Sequence, residues 1–437
     1  MSHTTANAPV SPAGSPTTGD ADTPSGSQVT TNKAVNSQWT ITLFGTAVGA
    51  GILFLPISAG SFGFIPLLVA TLLIFPMTYL AHRAFSWIIS YSPLHGEDVL
   101  AVLTHFFGRG NGIILAIIYW FTIFPVVLIY GVSITNTVNS FIVNQLSGPE
   151  ISRYILAPLC VGLMTLALAF GNTIMLKIAQ FVVYPLIVAL AAVSLYLIPQ
   201  WDLGSFMEAG DHTAGGILKA IILPVLVFSF SFVAAISQFS LGMEKEYGAD
   251  HHAQSDKVIR NSAVLLTIFT MFFVWSCALA MGADGMQEAN EKNLPVLSYF
   301  ANETGTPFMA YMAPIVVICA VASSYFGHAL GTIEGTQYLF NLAAPKATKK
   351  MSTRTLDLWT YLFIFVATSL VGIFNPSILD MISIVGGVFF AFMTYLLPIL
   401  VIYRVDALAR FRGKKTNYFV AVMGFIVLFA TIWGMFQ

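Results

Sequence analysis

Apolar residues along this chain come in long runs, and those runs rather than any short periodicity set its architecture. Beyond about residue 35, mostly apolar stretches alternate with short polar connections, and about 20 such residues in a helix cross a hydrocarbon core. The runs place spans near 39–60, 63–90, 112–143, 152–171, 173–198, 217–241, 258–281, 307–342, 356–374, 376–403 and 417–436, eleven in all. The third, eighth and tenth are long enough to tilt or to extend past the membrane. Before them, residues 1–35 are Ser, Thr, Pro, Ala, Gly and Asn with almost no large apolar side chain. Such a segment cannot bury enough surface to offset its ordering entropy and is expected to be a disordered tail. It lacks the basic and apolar regions of a cleaved signal peptide and reads as cytoplasmic.

Composition agrees with the pattern. The chain is 57% hydrophobic and 9% charged over 437 residues, too little charge to cover a water-soluble protein of this length. An all-α integral membrane protein is expected, with the lipid bilayer as its main partner. A net charge of −1 argues against a nucleic-acid surface. Cys160, Cys277 and Cys319 lie far apart inside apolar stretches and read as small packing residues. With the N-terminus in the cytoplasm, the inner loops and their flanks hold nearly all the basic residues, from Lys33, Arg83 and Arg109 to Lys346, Lys349, Lys350, Arg410 and Lys415. The outer side keeps only Arg153, Lys219 and Lys292, a strong positive-inside asymmetry. Outer loops are acidic instead, with Asp202, Glu208 and Asp211 in one and Asp284, Glu288, Glu291 and Glu303 in another. An odd number of spans then puts the C-terminus outside.

The first span contains Gly45, Gly49, Gly51 and Pro56, a poor continuous helix. Unwound backbone survives at membrane depth only where it is buried in protein or lines a polar cavity. Freed N–H groups there can hold a carboxylate, and freed carbonyls an ammonium or a small cation. Close helix packing is the alternative use of such glycines. If the chain repeats itself every five spans, the sixth is the partner of the first. Its Pro224-Val225-Leu226-Val227-Phe228-Ser229-Phe230-Ser231 is consistent with a second interruption, although Ser229 and Ser231 could bond back within an intact helix.

Few ionisable residues lie inside spans, and burying them is costly enough to make each a functional candidate. Lys177 begins the fifth span, where it can also snorkel to the inner surface. His328 and Glu334 share the inner half of the eighth, as a proton relay or a hydrogen-bonded gate. His82-Arg83 and Glu97-Asp98 are expected to pair near the cytoplasmic side. His251-His252 makes a poor chelate without further ligands. No HExxH, CxxC or G-x-S-x-G pattern is present, so an enzyme is not expected. No cofactor and no obligate protein partner are implied either. A channel would need a continuous polar pore, whereas polar groups here cluster at the middle of a few helices.

The run from Gly45 to Pro56, Gly-Thr-Ala-Val-Gly-Ala-Gly-Ile-Leu-Phe-Leu-Pro, closely resembles the first span of bacterial serine/threonine permeases of the hydroxy and aromatic amino acid permease family. The similarity continues through Phe75-Pro76-Met77-Thr78, Ala81-His82-Arg83, Gly96-Glu97-Asp98 and Ile134-Thr135-Asn136. It reaches Pro199-Gln200-Trp201, Gly327-His328, Glu334-Gly335 and Asn375-Pro376-Ser377. The resemblance implies a LeuT-type 5+5 inverted repeat with broken first and sixth helices. Residues 36–200 form the first repeat, 201–404 the second, and 405–437 a cytoplasmic loop and eleventh helix. It implies a symporter of the bacterial inner membrane that works by alternating access. The symporter would import a neutral amino acid, serine- or threonine-like, driven by H+ or Na+. The backbone of Gly49, Ala50 and Gly51 would meet the substrate carboxylate. Carbonyls near Thr46, Ala47 and Phe228, with the Ser229 hydroxyl, would meet its ammonium, and Tyr130 and Ser231 would shape the pocket.

Two departures qualify that expectation. The serine/threonine members continue the sixth span into Asn-His-Ser-Pro, whereas this chain continues Ser231-Phe232-Val233-Ala234. Apolar walls discriminate weakly for a hydroxyl, which keeps a larger or aromatic amino acid open; a non-transporting sensor or a channel on the same fold stays open as well. In the eighth span those members carry a lysine followed by serine, and this chain has Ser323-Ser324. By analogy with sodium-coupled LeuT-type proteins, Gly45, Val48, Ala320, Ser323 and Ser324 become candidate sodium ligands. The alternative is that the two serines merely pack against the broken helix. Some proton-coupled members of the superfold use a fifth-span lysine in place of sodium, which is the coupling role open to Lys177.

Overall fold

Backbone polar groups in lipid must pair within their own segment, so each apolar run has one low-energy form, a helix. The computed structural model describes residues 32–60, 63–169, 172–208, 224–303 and 306–436. Eight helices there are long and apolar enough to cross a membrane, or nine with a bent first pair counted as one. One of the eight, Pro224–Gly282, is divided at Gly248–Asp250 into the sixth and seventh spans. With the sixteen-residue helix Arg153–Leu168 as the fourth, the eleven expected segments all have helical counterparts. Residues 1–31 and 209–223 lie outside the described residues, and with them most of the expected tail, the start of the expected sixth span, Asp211 and Lys219. The tail boundary moves: a helix begins at Lys33, capped by the Asn32 side chain, which accepts from the Val35 N–H.

The third span starts earlier than its apolar run. The helix runs Val99–Ser140, with Gly108 at φ +75 forming a kink. Residues 99–107 are themselves mostly apolar, but Gly108-Arg109-Gly110-Asn111-Gly112 separates them from the long apolar run, and Asp98 starts them by accepting from the Ala101 N–H at 2.8 Å. Asp98 is therefore a cap rather than a partner of Arg83. Arg83 instead lies 3.8 Å from Asp256 and donates to the Tyr79 hydroxyl, which overturns the expected pairing with Glu97-Asp98.

The tenth span, Ile378–Arg404, is wound as a π-helix over Val385–Leu396. Such stretches recur near functional sites. A Cβ at Gly386 would run into the Pro224 carbonyl, and one at Gly387 into Thr431 of the eleventh helix, Lys415–Gly434. The tenth span is thus pressed between the sixth and the eleventh.

Both ends of the bundle are tied by polar contacts. At the end bearing the acidic loops, Asn375 holds a left-handed cap at φ 52. Its Oδ1 accepts from Asn136 and Asn293, and Arg153 donates to the Gly372 carbonyl and to Asn136. At the basic end, Asn32 donates to Glu246 and Asn36 to Gln254.

Candidate functional site between two broken helices

The first span is two helices, Lys33–Ala47 and Ala50–Gly60, bent by 55° at Val48-Gly49. The first four N–H groups of a helix have no partner within it, and the start of a helix carries about half a positive charge. No described side-chain hydrogen bond reaches the N–H groups of Ala50, Gly51 or Ile52. The residues around this start are crowded. A Cβ at Gly49 would sit 2.6 Å from the Ser324 and Tyr130 hydroxyl oxygens. One at Gly51 would sit 2.5 Å from the Phe228 ring and 2.8 Å from the Ser229 hydroxyl. Glycine is required here because other chain segments approach the backbone directly.

The sixth span breaks as well, between Pro224–Ser229 and Val233–Tyr247. Its second half is provided for. His82, from the second span, donates through Nδ1 to the Thr78 carbonyl at 2.8 Å, which leaves Nε2 unprotonated. Nε2 then accepts the Phe232 N–H at 3.0 Å and faces the Ser231 hydroxyl at 3.4 Å. Ser231 in turn lies 3.4 Å from the Val233 N–H. The Phe232 ring stacks on the imidazole at 3.9 Å, so the phenyl group expected to line the pocket is packed on the second span. The sequence neighbours of His82 predict a pair near the cytoplasmic side, whereas its partner, the Phe232 N–H, lies 150 residues away.

A chain of hydroxyls joins the breaks to the eighth span. Ser324 donates to the Thr46 carbonyl at 2.6 Å and therefore accepts from the Tyr130 hydroxyl at 2.5 Å. His328 donates through Nδ1 to the Ser324 carbonyl at 2.9 Å, and its ring meets Tyr130 edge to face. The structure therefore gathers Thr46, Gly49, Tyr130, Ser324 and His328 at one point, and Gly51, Phe228 and Ser229 at a second beside it. Ala47 and Ala50 are buried on either side of the bend. The Ser229 hydroxyl is buried with no hydrogen-bond partner among the described residues, as are several other hydroxyls, but it alone of these lies against Gly51.

The candidate sodium ligands are arranged differently. Ser323 donates to the Ala320 carbonyl at 3.1 Å, and Gly45 is packed so tightly on Val183 that a Cβ would collide with it. Val48 is buried, with its N–H bonded to the Phe44 carbonyl. The Ser323, Ala320 and Ser324 oxygens are suited to a hard cation by type, yet both hydroxyls are engaged with protein carbonyls. Lys177 is exposed on the fifth span and joins no described contact at the breaks. Glu334 lies three turns or so beyond Ser324 along the same helix, accepting from Gln238 at 3.3 Å. A cavity of about 320 Å³, lined by Trp39, Thr42, Ala234, Gln238 and Gly327, reaches Thr46 from the basic end.

Phe390 and Gly386, on the tenth span, form a wall that the sequence did not single out. Phe390 meets Phe228 edge to face at 5.6 Å. Three glycines or more in the first span signalled the first break; only the local π winding marks this wall.

Residues 30–437 match the sequence profile of the tryptophan/tyrosine permease family. The chain is 37% identical to the serine transporter SdaC of Escherichia coli K12, over 93% of this chain and 96% of that one. It is 36% identical to the threonine/serine transporter TdcC of Yersinia enterocolitica, over 92% and 96%. Among solved structures it is similar to MHP1, a nucleobase-cation-symport-1 family transporter in a closed conformation with bromovinylhydantoin bound. That likeness has a TM-score of 0.58 at 13% identity and covers 92% of this chain and 91% of that one. At this identity the likeness speaks for the fold, which is of the LeuT type.

Proposed function

The chain belongs to the tryptophan/tyrosine permease family, not to an enzyme family, and on that premise we propose that it is a cation-coupled symporter for a neutral amino acid of the serine or threonine type. The observation that carries the proposal is the pairing of an uncapped helix start at Ala50–Ile52 with the unpartnered Ser229 hydroxyl beside Gly51. An α-amino acid offers a carboxylate to the helix start and an ammonium to the Ser229 hydroxyl and the Thr46 and Ala47 carbonyls. Support for the side chain comes from the relatives, which are named as serine and threonine transporters. The distribution of basic loops supports a cytoplasmic N-terminus and an outer C-terminus, and the bacterial relatives support the inner membrane.

Coupling by H+ or Na+ separates on the Ser324 hydroxyl. For sodium, it must turn from the Thr46 carbonyl toward the ion. For a proton, the linked Tyr130, Ser324 and His328 groups already form a connected set. The test is uptake of labelled serine, threonine and tryptophan into proteoliposomes under an imposed sodium or proton gradient. The expected result is saturable serine or threonine uptake that requires one of the two gradients. Conductance without saturation, or preferred uptake of tryptophan, would sink the proposal. Unchanged binding when choline replaces sodium at fixed pH assigns the drive to protons.

A further inference from the structure

We propose that the groove between the eighth and ninth spans is a seat for one anionic phospholipid, with its phosphate on the connecting loop and a tail along the ninth helix. The groove encloses about 700 Å³ and is lined by Phe340 on the eighth span and by Trp359, Phe363, Val366 and Leu370 on the ninth. An ordinary lipid-facing helix surface is convex and holds no such volume. Phe363 is fixed from behind by stacking on Phe124 of the third span at 5.2 Å, so the wall is rigid. From Leu356 to Leu370 the ninth helix rises about 21 Å, enough to take a tail through one leaflet of a hydrocarbon core about 30 Å thick.

The mouth of the groove is strongly basic. Lys346, Lys349, Lys350 and Arg354 are exposed, and none forms an ion pair among the described residues. Residues 344–356 contain no acidic side chain. The nearest carboxylate, Asp357, accepts from Gln337 at 2.7 Å. Trp359 is 54% exposed just inside this mouth, where an indole suits the interface between headgroups and tails. Cations above an apolar channel match an anionic headgroup joined to an acyl chain, and basic pockets between spans take such lipids. A zwitterionic lipid offers the same phosphate but adds a cation that the basic mouth repels, so it gains less from the charges.

Native mass spectrometry of the purified full chain, titrated with phosphatidylglycerol or phosphatidylcholine, tests the proposal. Phosphatidylglycerol is expected to bind the more tightly. Lys349→Gln/Lys350→Gln is expected to weaken it about thirty-fold, roughly five-fold for each basic residue. The equal-charge control Lys257→Gln/Lys415→Gln is expected to leave it unchanged. Val366→Trp, which fills the channel, is expected to weaken both lipids. Equal binding of the two lipids, equal loss in the control pair, or unchanged binding in Val366→Trp would overturn the proposal. So would displacement of phosphatidylglycerol by inorganic phosphate alone, which would mean that the channel takes no tail.

Discussion

The two broken helices solve the same problem in opposite ways. In the sixth span, the freed donors at Phe232 and Val233 are met by His82 and Ser231. In the first, the start at Ala50 has glycines on both sides and, among the described residues, no side chain that meets it. A buried donor without a partner costs about 1–3 kcal/mol; the protein supplies one at the second break, and the proposed function gives the first to a ligand. On the proposed function, the second break is a joint and the first a socket.

The comparison can be broken at each point. Gly51→Leu places a side chain against Phe228 and Ser229; uptake into proteoliposomes should vanish while membrane insertion, read by fractionation, stays normal. Normal uptake would contradict the socket. His82→Leu strands the Phe232 donor and should lower stability in detergent by about 1–3 kcal/mol, with His82→Gln recovering part of it by keeping an acceptor. If unfolding is unchanged in His82→Leu, the cap carries no energy and the contrast falls.

Smaller effects sharpen it. Ser229→Ala should weaken substrate binding about ten-fold, as expected for a lost hydrogen bond to a charged group, yet leave the unliganded protein as stable as before. A loss of stability instead would mean that the hydroxyl serves the fold. Ser324→Ala cuts the link between Thr46 and Tyr130 and should cost about 1 kcal/mol in binding, measured by calorimetry. The smallest effect lies outside both breaks. The carboxyl of Glu288 is held below its ordinary range by hydrogen bonds from Lys292 and then Tyr299. Its contribution is therefore present above the ordinary carboxylate range and is lost as pH falls through the lowered value. Unfolding followed from about pH 6 to pH 3 should lose a small acid-dependent component in Glu288→Gln.

Much of this was legible in the amino-acid sequence, for reasons that are physical. Spans are long and must pair their own backbone, so a local property places them, and Gly45, Gly49, Gly51 and Pro56 mark the first break locally. What escaped depends on partners far along the chain. Arg83 reaches Asp256 rather than its near neighbours, and nothing within ten residues of His82 reveals that it will cap residue 232. Ser231 lies beside His82 and the Val233 N–H, and whether a hydroxyl at a helix start serves the helix or a pocket is decided by packing that its sequence neighbours do not show. The third span begins earlier than its long apolar run because the polar break Gly108-Arg109-Gly110-Asn111-Gly112 is spanned by a kink at Gly108, which joins two apolar helices.

Gly387 has a practical consequence. Its bare backbone is cut to receive Thr431, although the last helix lies beyond both five-helix repeats. A chain trimmed before Lys415 would leave a notch in the tenth span open to lipid and unsupported on the side opposite Pro224. Anyone shortening this protein, or fusing a reporter in place of its final helix, would be removing a fitted part.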